Sequence, residues 1–226
     1  MTTAFLILKA HSQRVPGKNL RRLAGRPLFR WIVDSLLQTP EISGLVIDTD
    51  CADRLIQAGL PDDPRLQLIA RDLALRGDAV TADALIGANL ARLGAGPILM
   101  THATTPFLRP ATLSRAIAAF EAGPQDSLLG VSVHQARFWS GPGAPLNHDP
   151  ARLVPTQELP PWFEENSTIY LFRAATFHAV GGRVGRRPLL FPTPRLESVD
   201  IDTEEDWALA EAIARGLAPQ GPYSPG

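Results

Sequence analysis

The sequence predicts a three-layer α/β/α protein built on a mostly parallel sheet, and three features carry that prediction. Short apolar runs rich in Leu, Ile and Val alternate along the chain with segments of helical period. The runs are continuously apolar rather than alternating, as in strands covered on both faces. Proline and glycine fall at the borders of the segments, where helices start and stop. With 226 residues, 45% of them hydrophobic and 20% charged, the chain can bury a full core, and residues 1–226 are expected to form a single domain.

The first run, AFLIL (Ala4 to Leu8), reads as a central strand, and GRPLFRWIVDSLLQT after it reads as a helix with Pro27 in its first turn. GLVIDTD (Gly44 to Asp50) and LQLIAR (Leu66 to Arg71) read as strands, and TADALIGANLARLG (Thr81 to Gly94) as a helix closed by glycine. GPILMTHA (Gly96 to Ala103) is a strand, PATLSRAIAAFEAG (Pro110 to Gly123) a helix and SLLGVSVHQ (Ser127 to Gln135) a strand. Regular patterning then stops from Arg137 to Glu165, a segment with Trp139, Trp162, Phe163 and six prolines. Long irregular segments inside compact domains tend to be functional, so 137–165 is expected to be a lid or a dimer contact. STIYLFR and LESVDID resume the sheet, TEEDWALAEAIARG closes the fold as a helix capped by Thr203 and Asp206, and APQGPYSPG is a frayed tail.

Composition excludes several classes of function. A formal net charge of −1 provides no basic field for nucleic acid or an anionic membrane. Cys51 is the only cysteine, and His11, His102, His134, His148 and His178 show no zinc-site spacing. The opening MTTAFLIL lacks the basic start of a signal peptide, and no apolar run approaches the ~20 residues that span a bilayer. A cytoplasmic location is expected.

In parallel sheets ligands bind beyond the carboxyl ends of the strands. Four chemically rich stretches fall at such ends: Lys9 to Asn19, Arg71 to Asp78, His102 to Pro106, and Asp200 with Asp202. Charge runs are usually solvated surface. Lys9, Arg14 and Lys18, however, are spaced through a loop that leaves a central strand, with Ser12 and Gly17 among them, which suits a triphosphate. Neither a Walker loop nor a GxGxxG is present, so side chains rather than a glycine nest would hold the phosphates. Two apart on a strand, Asp200 and Asp202 would share a face, and their mutual repulsion calls for a cation, for which Mg2+ is the economical choice. His102, Thr104 and Thr105 form a polar strand end.

VPGKNLRRLAGRPL, THATTPF, NSTIYLF and SVDIDTEEDW, in that order, resemble the acylneuraminate cytidylyltransferases, the CMP-acid-sugar synthetases, from about Ala4 to Ala214. The resemblance implies a Rossmann-like nucleotide-diphospho-sugar transferase fold, and transfer of CMP from CTP to the anomeric hydroxyl of an acidic sugar such as sialic acid or 3-deoxy-manno-octulosonic acid. It places Lys9, Ser12, Arg14 and Lys18 around the CTP phosphates, Asn19 near the nucleoside, Arg71 beside the cytidine, and Mg2+ on Asp200 and Asp202. Lys18, Arg14, Asp200 and Asp202 would then carry catalysis by charge neutralisation. On the sugar side stand His102 and Thr104, with Arg152 and Arg173 as partners for the sugar carboxylate. The chain departs from the family at Lys9 for an arginine, His11 for a glycine, Gln13 for a lysine and His102 for a glutamine. His102 is a candidate general base, since histidine titrates near neutrality, and would make sugar affinity pH-dependent there; a plain substrate hydrogen bond is the alternative. A homodimer is expected from the resemblance. Two other readings stay open: transfer of another nucleotide or to a sugar phosphate on the same fold, and a non-catalytic nucleotide-binding protein.

Overall fold

Apolar runs and helical periods settle into fifteen elements among the described residues, which in this computed structural model are 1–77 and 79–217. In chain order they are β1 (Thr2–Leu8), β2 (Arg22–Leu23), β3 (Arg26–Pro27), α1 (Leu28–Gln38), β4 (Ile42–Thr49), α2 (Ala52–Gln57), β5 (Leu66–Ala70), α3 (Ala82–Leu93), β6 (Ile98–Thr101), α4 (Pro110–Ala122), β7 (Ser127–His134), β8 (Trp162–Phe172), α5 (Ala174–Val180), β9 (Pro188–Pro192) and α6 (Glu204–Leu217). Asp78 and the tail 218–226 lie outside the described residues.

Seven of these strands form one sheet in the order β5-β4-β1-β6-β8-β7-β9, parallel throughout except for β8. β1 lies near the middle, and its side chains alternate between two cores. Ala4, Leu6 and Leu8 meet α1 and α4 through Phe29, Ile32, Leu113 and Ile117, whereas Phe5 meets α3 and α5 through Ile86 and Phe177. A third cluster seats α6 by Trp207 against Val15, Trp31 and Ile201. The three layers expected from the alternation are therefore present. No helix among the described residues is long and apolar enough to cross a membrane.

Several expectations need correction. LESVDID is not a strand: the sheet is completed instead by β9, PLLFP, which pairs in parallel with β7. The Asp200 segment is extended loop, tied by the Ile201 amide to the Thr104 carbonyl at 2.9 Å. Pro27 precedes α1 rather than entering it, because Arg26–Pro27 pairs with β2. The 137–165 excursion ends in regular structure: Trp162 to Glu165 pair with β7 in register, His134 opposite Trp162 and Val131 opposite Glu165, so a two-stranded arm projects from the sheet. Val133, Trp139, Leu146, Leu153, Trp162 and Phe163 leave large apolar surfaces exposed along this arm and its loop.

Candidate active site

Beyond the carboxyl ends of β1 and β6 lies a cavity of about 600 Å³. It collects Lys9, Ser12, Arg14, Lys18 and Asn19 from the loop after β1, His102 and Thr104 from the end of β6, and Asp200 and Asp202 from the loop before α6. Three of the four stretches picked from sequence thus meet in one place.

The opening loop is held from within. Gly17 takes a left-handed conformation (φ 65°) that leads into a 3-10 turn at Lys18–Leu20. Asn19 Nδ2 donates to the Lys9 carbonyl at 2.9 Å, and the Ala10 amide donates to Asp50 Oδ1 at 2.7 Å. Lys18 is buried; its Nζ donates to the Ile201 carbonyl and lies 3.3 Å from Asp202 Oδ1. Arg14 Nη2 is 3.0 Å from the same oxygen. Two cations therefore converge on one carboxylate, next to the space that a phosphate chain would fill.

The aspartates differ from one another. Both line the cavity because the extended segment alternates, with Ile201 between them fully buried. Asp202 is neutralised by Arg14 and Lys18. Asp200 has a buried Oδ1 with no hydrogen-bond partner among the described residues. Burial pushes its carboxyl above the ordinary range, the Thr104 hydroxyl opposes this, and the charge of Asp202 adds to it. An orphaned carboxylate oxygen beside a second carboxylate fits a hard divalent cation whose remaining ligands are water and phosphate oxygens. Among the described residues no group of three or more His, Cys, Asp or Glu forms a metal cage.

His102 is set deep at the end of β6, edge-on to Tyr170 with ring centroids 6.5 Å apart. Part of the ring faces the cavity, but protein closes around it on the other sides. Burial, reinforced by the Arg183 charge, lowers its pKa to about 4. The imidazole is therefore neutral across the physiological range. In the ligand-free protein this argues against the expected role of His102 as a general base near neutrality and against a sugar affinity that titrates there.

Three other predicted residues do not reach the cavity. Arg71 is buried, with its guanidinium consumed by the Asp48 carboxylate and by the Leu8 and Asp48 carbonyls, while Asn89 holds the other Asp48 oxygen at 2.9 Å. It braces the ends of β1, β4 and β5 beneath the site. Arg152 is exposed on the loop of the projecting arm. Arg173 follows β8, which runs antiparallel, so it emerges at the opposite end of the sheet, over the Phe120 ring.

Sequence reasoning missed two polar lining residues, Ser167 and Arg183. Ser167 has φ 56° at the irregularity between β7 and β8, an uncommon conformation for a non-glycine residue, and it faces the cavity. Arg183 comes from the α5–β9 connection, ion-paired to Asp83 at 2.9 Å and lying 4.3 Å over the Tyr170 ring. As one of three arginines in GGRVGRR, Arg183 gives no periodic signal. What placed both side chains here was the antiparallel return of β8.

A mostly parallel α/β sheet with basic and acidic side chains at its carboxyl edge is the arrangement of α/β proteins that bind a charged ligand there. A model of the cytidylyltransferase family matches residues 8–187, and this chain belongs to that family of nucleotidyltransferases. The CMP-N,N'-diacetyllegionaminic acid synthase of Legionella pneumophila is 27% identical over 226 residues, covering 93% of this chain and 94% of that protein. The N-acylneuraminate cytidylyltransferase of Oncorhynchus mykiss is 26% identical over 92% of this chain, which spans about half (49%) of that relative's length. Among solved structures, CMP:2-keto-3-deoxy-manno-octonic acid synthetase complexed with CTP superposes with a TM-score of 0.65 at 14% identity, covering 95% of this chain and 98% of that one. The 4-diphosphocytidyl-2C-methyl-D-erythritol synthase of Anaerococcus prevotii gives 0.67 at 12% identity, over 95% and 96%. At these identities the two structures establish the fold alone.

Proposed function

We propose that this cytidylyltransferase moves CMP from CTP onto the anomeric hydroxyl of an acidic sugar of the sialic-acid or 3-deoxy-octulosonic-acid type, releasing pyrophosphate. The observation that carries the reading is the joining, in one cavity, of the opening-loop cations with Asp200 and Asp202. The names of the relatives support an acid sugar as acceptor.

The hydroxyl attacks the α-phosphorus in line and gives its proton to solvent, a P–O bond to the sugar forms, and the α-phosphorus–oxygen bond to the β-phosphate breaks, with its electron pair leaving on pyrophosphate. Positioning and charge neutralisation then supply most of the rate. Lys18 and Arg14 stabilise the negative charge that develops on pyrophosphate, with Lys9 and Ser12 along the phosphate chain and Asn19 keeping the loop closed. Lys18 is fixed before substrate arrives, since the Ile201 carbonyl and Asp202 hold its ammonium. Asp200 and Asp202 would hold Mg2+, which when bound neutralises phosphate oxygens. His102, neutral, offers one donor and one acceptor to the sugar, beside Thr104.

The reading extends to a cytoplasmic homodimer whose contact is the arm of β7 and β8. Its exposed Val133, Trp162 and Phe163 suit burial against a second copy. Pyrophosphate release that needs both CTP and a sugar acid tests the function, and mass spectrometry of the CMP-sugar identifies the acceptor.

A further inference from the structure

The cations of the opening loop all stand on one side of the cavity, and two of them, Arg14 and Lys18, already face Asp202. An acid sugar brings a carboxylate of its own. That carboxylate is borne on the anomeric carbon whose hydroxyl attacks, so it must come close to the α-phosphate, where like charges repel in a partly desolvated space. A separate cation is needed, and Arg183 lines the cavity from a different part of the fold. It arrives from the connection after α5, on the face of the sheet that carries α3, whereas the opening loop leads to α1 on the other face.

Its surroundings make it a built recognition group. Asp83, in the first turn of α3, holds Nη1 at 2.9 Å, and the Tyr170 ring lies beneath the guanidinium with Cζ 4.3 Å from its centroid. Tyr170 is itself fixed: its hydroxyl donates to Glu165 and lies 3.2 Å from Ser167 Oγ, while His102 meets the ring edge-on. The side chain is therefore oriented before any ligand binds, so little rotamer freedom remains to be lost. Its Nε, buried, has no hydrogen-bond partner among the described residues. Guanidinium groups take carboxylates edge-on through parallel N–H groups; here Asp83 holds Nη1 and the Tyr170 hydroxyl also bonds the guanidinium, which leaves part of its donor set for a ligand. Ser167 and His102, the hydrogen-bonding groups next to Tyr170, also line the cavity and would meet the hydroxyls of the same ligand.

We infer that Arg183, oriented by Asp83 and Tyr170, binds the carboxylate of the acceptor sugar and sets the enzyme's demand for an acidic sugar. The inference rests on the proposed function and names the group that reads its second substrate. It replaces Arg152 and Arg173, which the fold carries elsewhere.

The test uses the full chain with CTP and Mg2+ saturating, and N-acetylneuraminic acid, 3-deoxy-manno-octulosonic acid and their methyl esters as acceptors. Wild-type turnover with either acid is measured first; none at all overturns both the proposed function and this inference. Given turnover, Arg183→Met is expected to lower kcat/KM for the acid on the order of 100-fold, as when a buried charge pair loses one member, with the KM for CTP nearly unchanged. The wild type is expected to prefer acid to ester by a similar factor, and the variant to lose that preference, which a merely structural role would not produce. Arg183→Lys, which keeps the charge and the Asp83 pair but not the fork, is expected to fall between the two and guards against misfolding of the Met variant. An acid preference that survives in both variants, or a change confined to the CTP parameters, overturns the assignment of Arg183 to the sugar.

Discussion

Replacing His102 by glutamine removes a titrating group from the floor of the cavity while keeping a donor and an acceptor there. In the folded protein burial lowers its pKa from 6.5 to about 4. The unfolded chain therefore binds a proton over a window in which the native protein does not. Stability must fall as the pH drops from about 6.5 toward 4, because protons favour the unfolded state there. At ~1.4 kcal/mol per pKa unit, the difference between the two states reaches about 3.5 kcal/mol below the window, and roughly 2.5 kcal/mol at about pH 4.5. Carboxylates titrate in the same range, so the wild type alone cannot isolate the effect. Urea unfolding of wild type and His102→Gln at about pH 7.5 and about pH 4.5 cancels the shared groups. The variant is expected to lose about 2.5 kcal/mol less on acidification than the wild type, and the sugar KM of the wild type to stay flat from about pH 6 to 8. Equal acid sensitivity in both proteins, or a sugar KM that titrates near 6.5, would refute the burial argument.

Asp200→Asn and Asp202→Asn should each cut turnover on the order of 1,000-fold, yet shift stability in opposite directions when melted in a chelator. Asp200 carries an orphaned buried oxygen, so its Asn variant should melt higher, whereas Asp202→Asn leaves buried Lys18 without its carboxylate and should melt lower. Near-normal turnover in both would remove the pair from the site. Arg71→Met breaks the buried pair with Asp48 and should cost about 3–5 kcal/mol in chemical denaturation, with a surviving fraction that binds CTP normally by calorimetry. Weakened CTP binding at full stability would return Arg71 to the nucleotide. Phe163→Asp is expected to convert a dimer to a monomer in sedimentation, and an unchanged mass would move the contact off the arm.

Much of the fold was readable because its signals are local. AFLIL is apolar at consecutive positions since β1 is covered on both faces, and the expected cap appears with Thr203 Oγ1 accepting from the Asp206 amide while Asp206 Oδ2 accepts from the Thr203 amide. PLLFP was missed because proline at both ends argues against a strand, but at the sheet edge, beside β7 alone, the missing donors are tolerated. Strand direction leaves no trace in an apolar run, so the antiparallel course of β8 was hidden, and with it the fate of Arg173 and the arrival of Arg183 in the cavity. LESVDID failed as a strand, yet both aspartates still face the cavity because alternation belongs to extended backbone whether or not it is paired. Arg71 was misplaced for a different reason: its partner Asp48 lies 23 residues earlier, and only the parallel pairing of β4 with β5 brings them together.

The central claim is that one cavity joins CTP to an acid sugar. Pyrophosphate release with Mg2+, measured for CTP, UTP and GTP against sialic and 3-deoxy-manno-octulosonic acids and a neutral sugar phosphate, tests it most directly. Release is predicted only when CTP and a sugar acid are present together, with a CMP-sugar formed in equal amount. Release with another nucleotide or with the sugar phosphate instead, or CTP binding with no turnover on any acceptor, would contradict it.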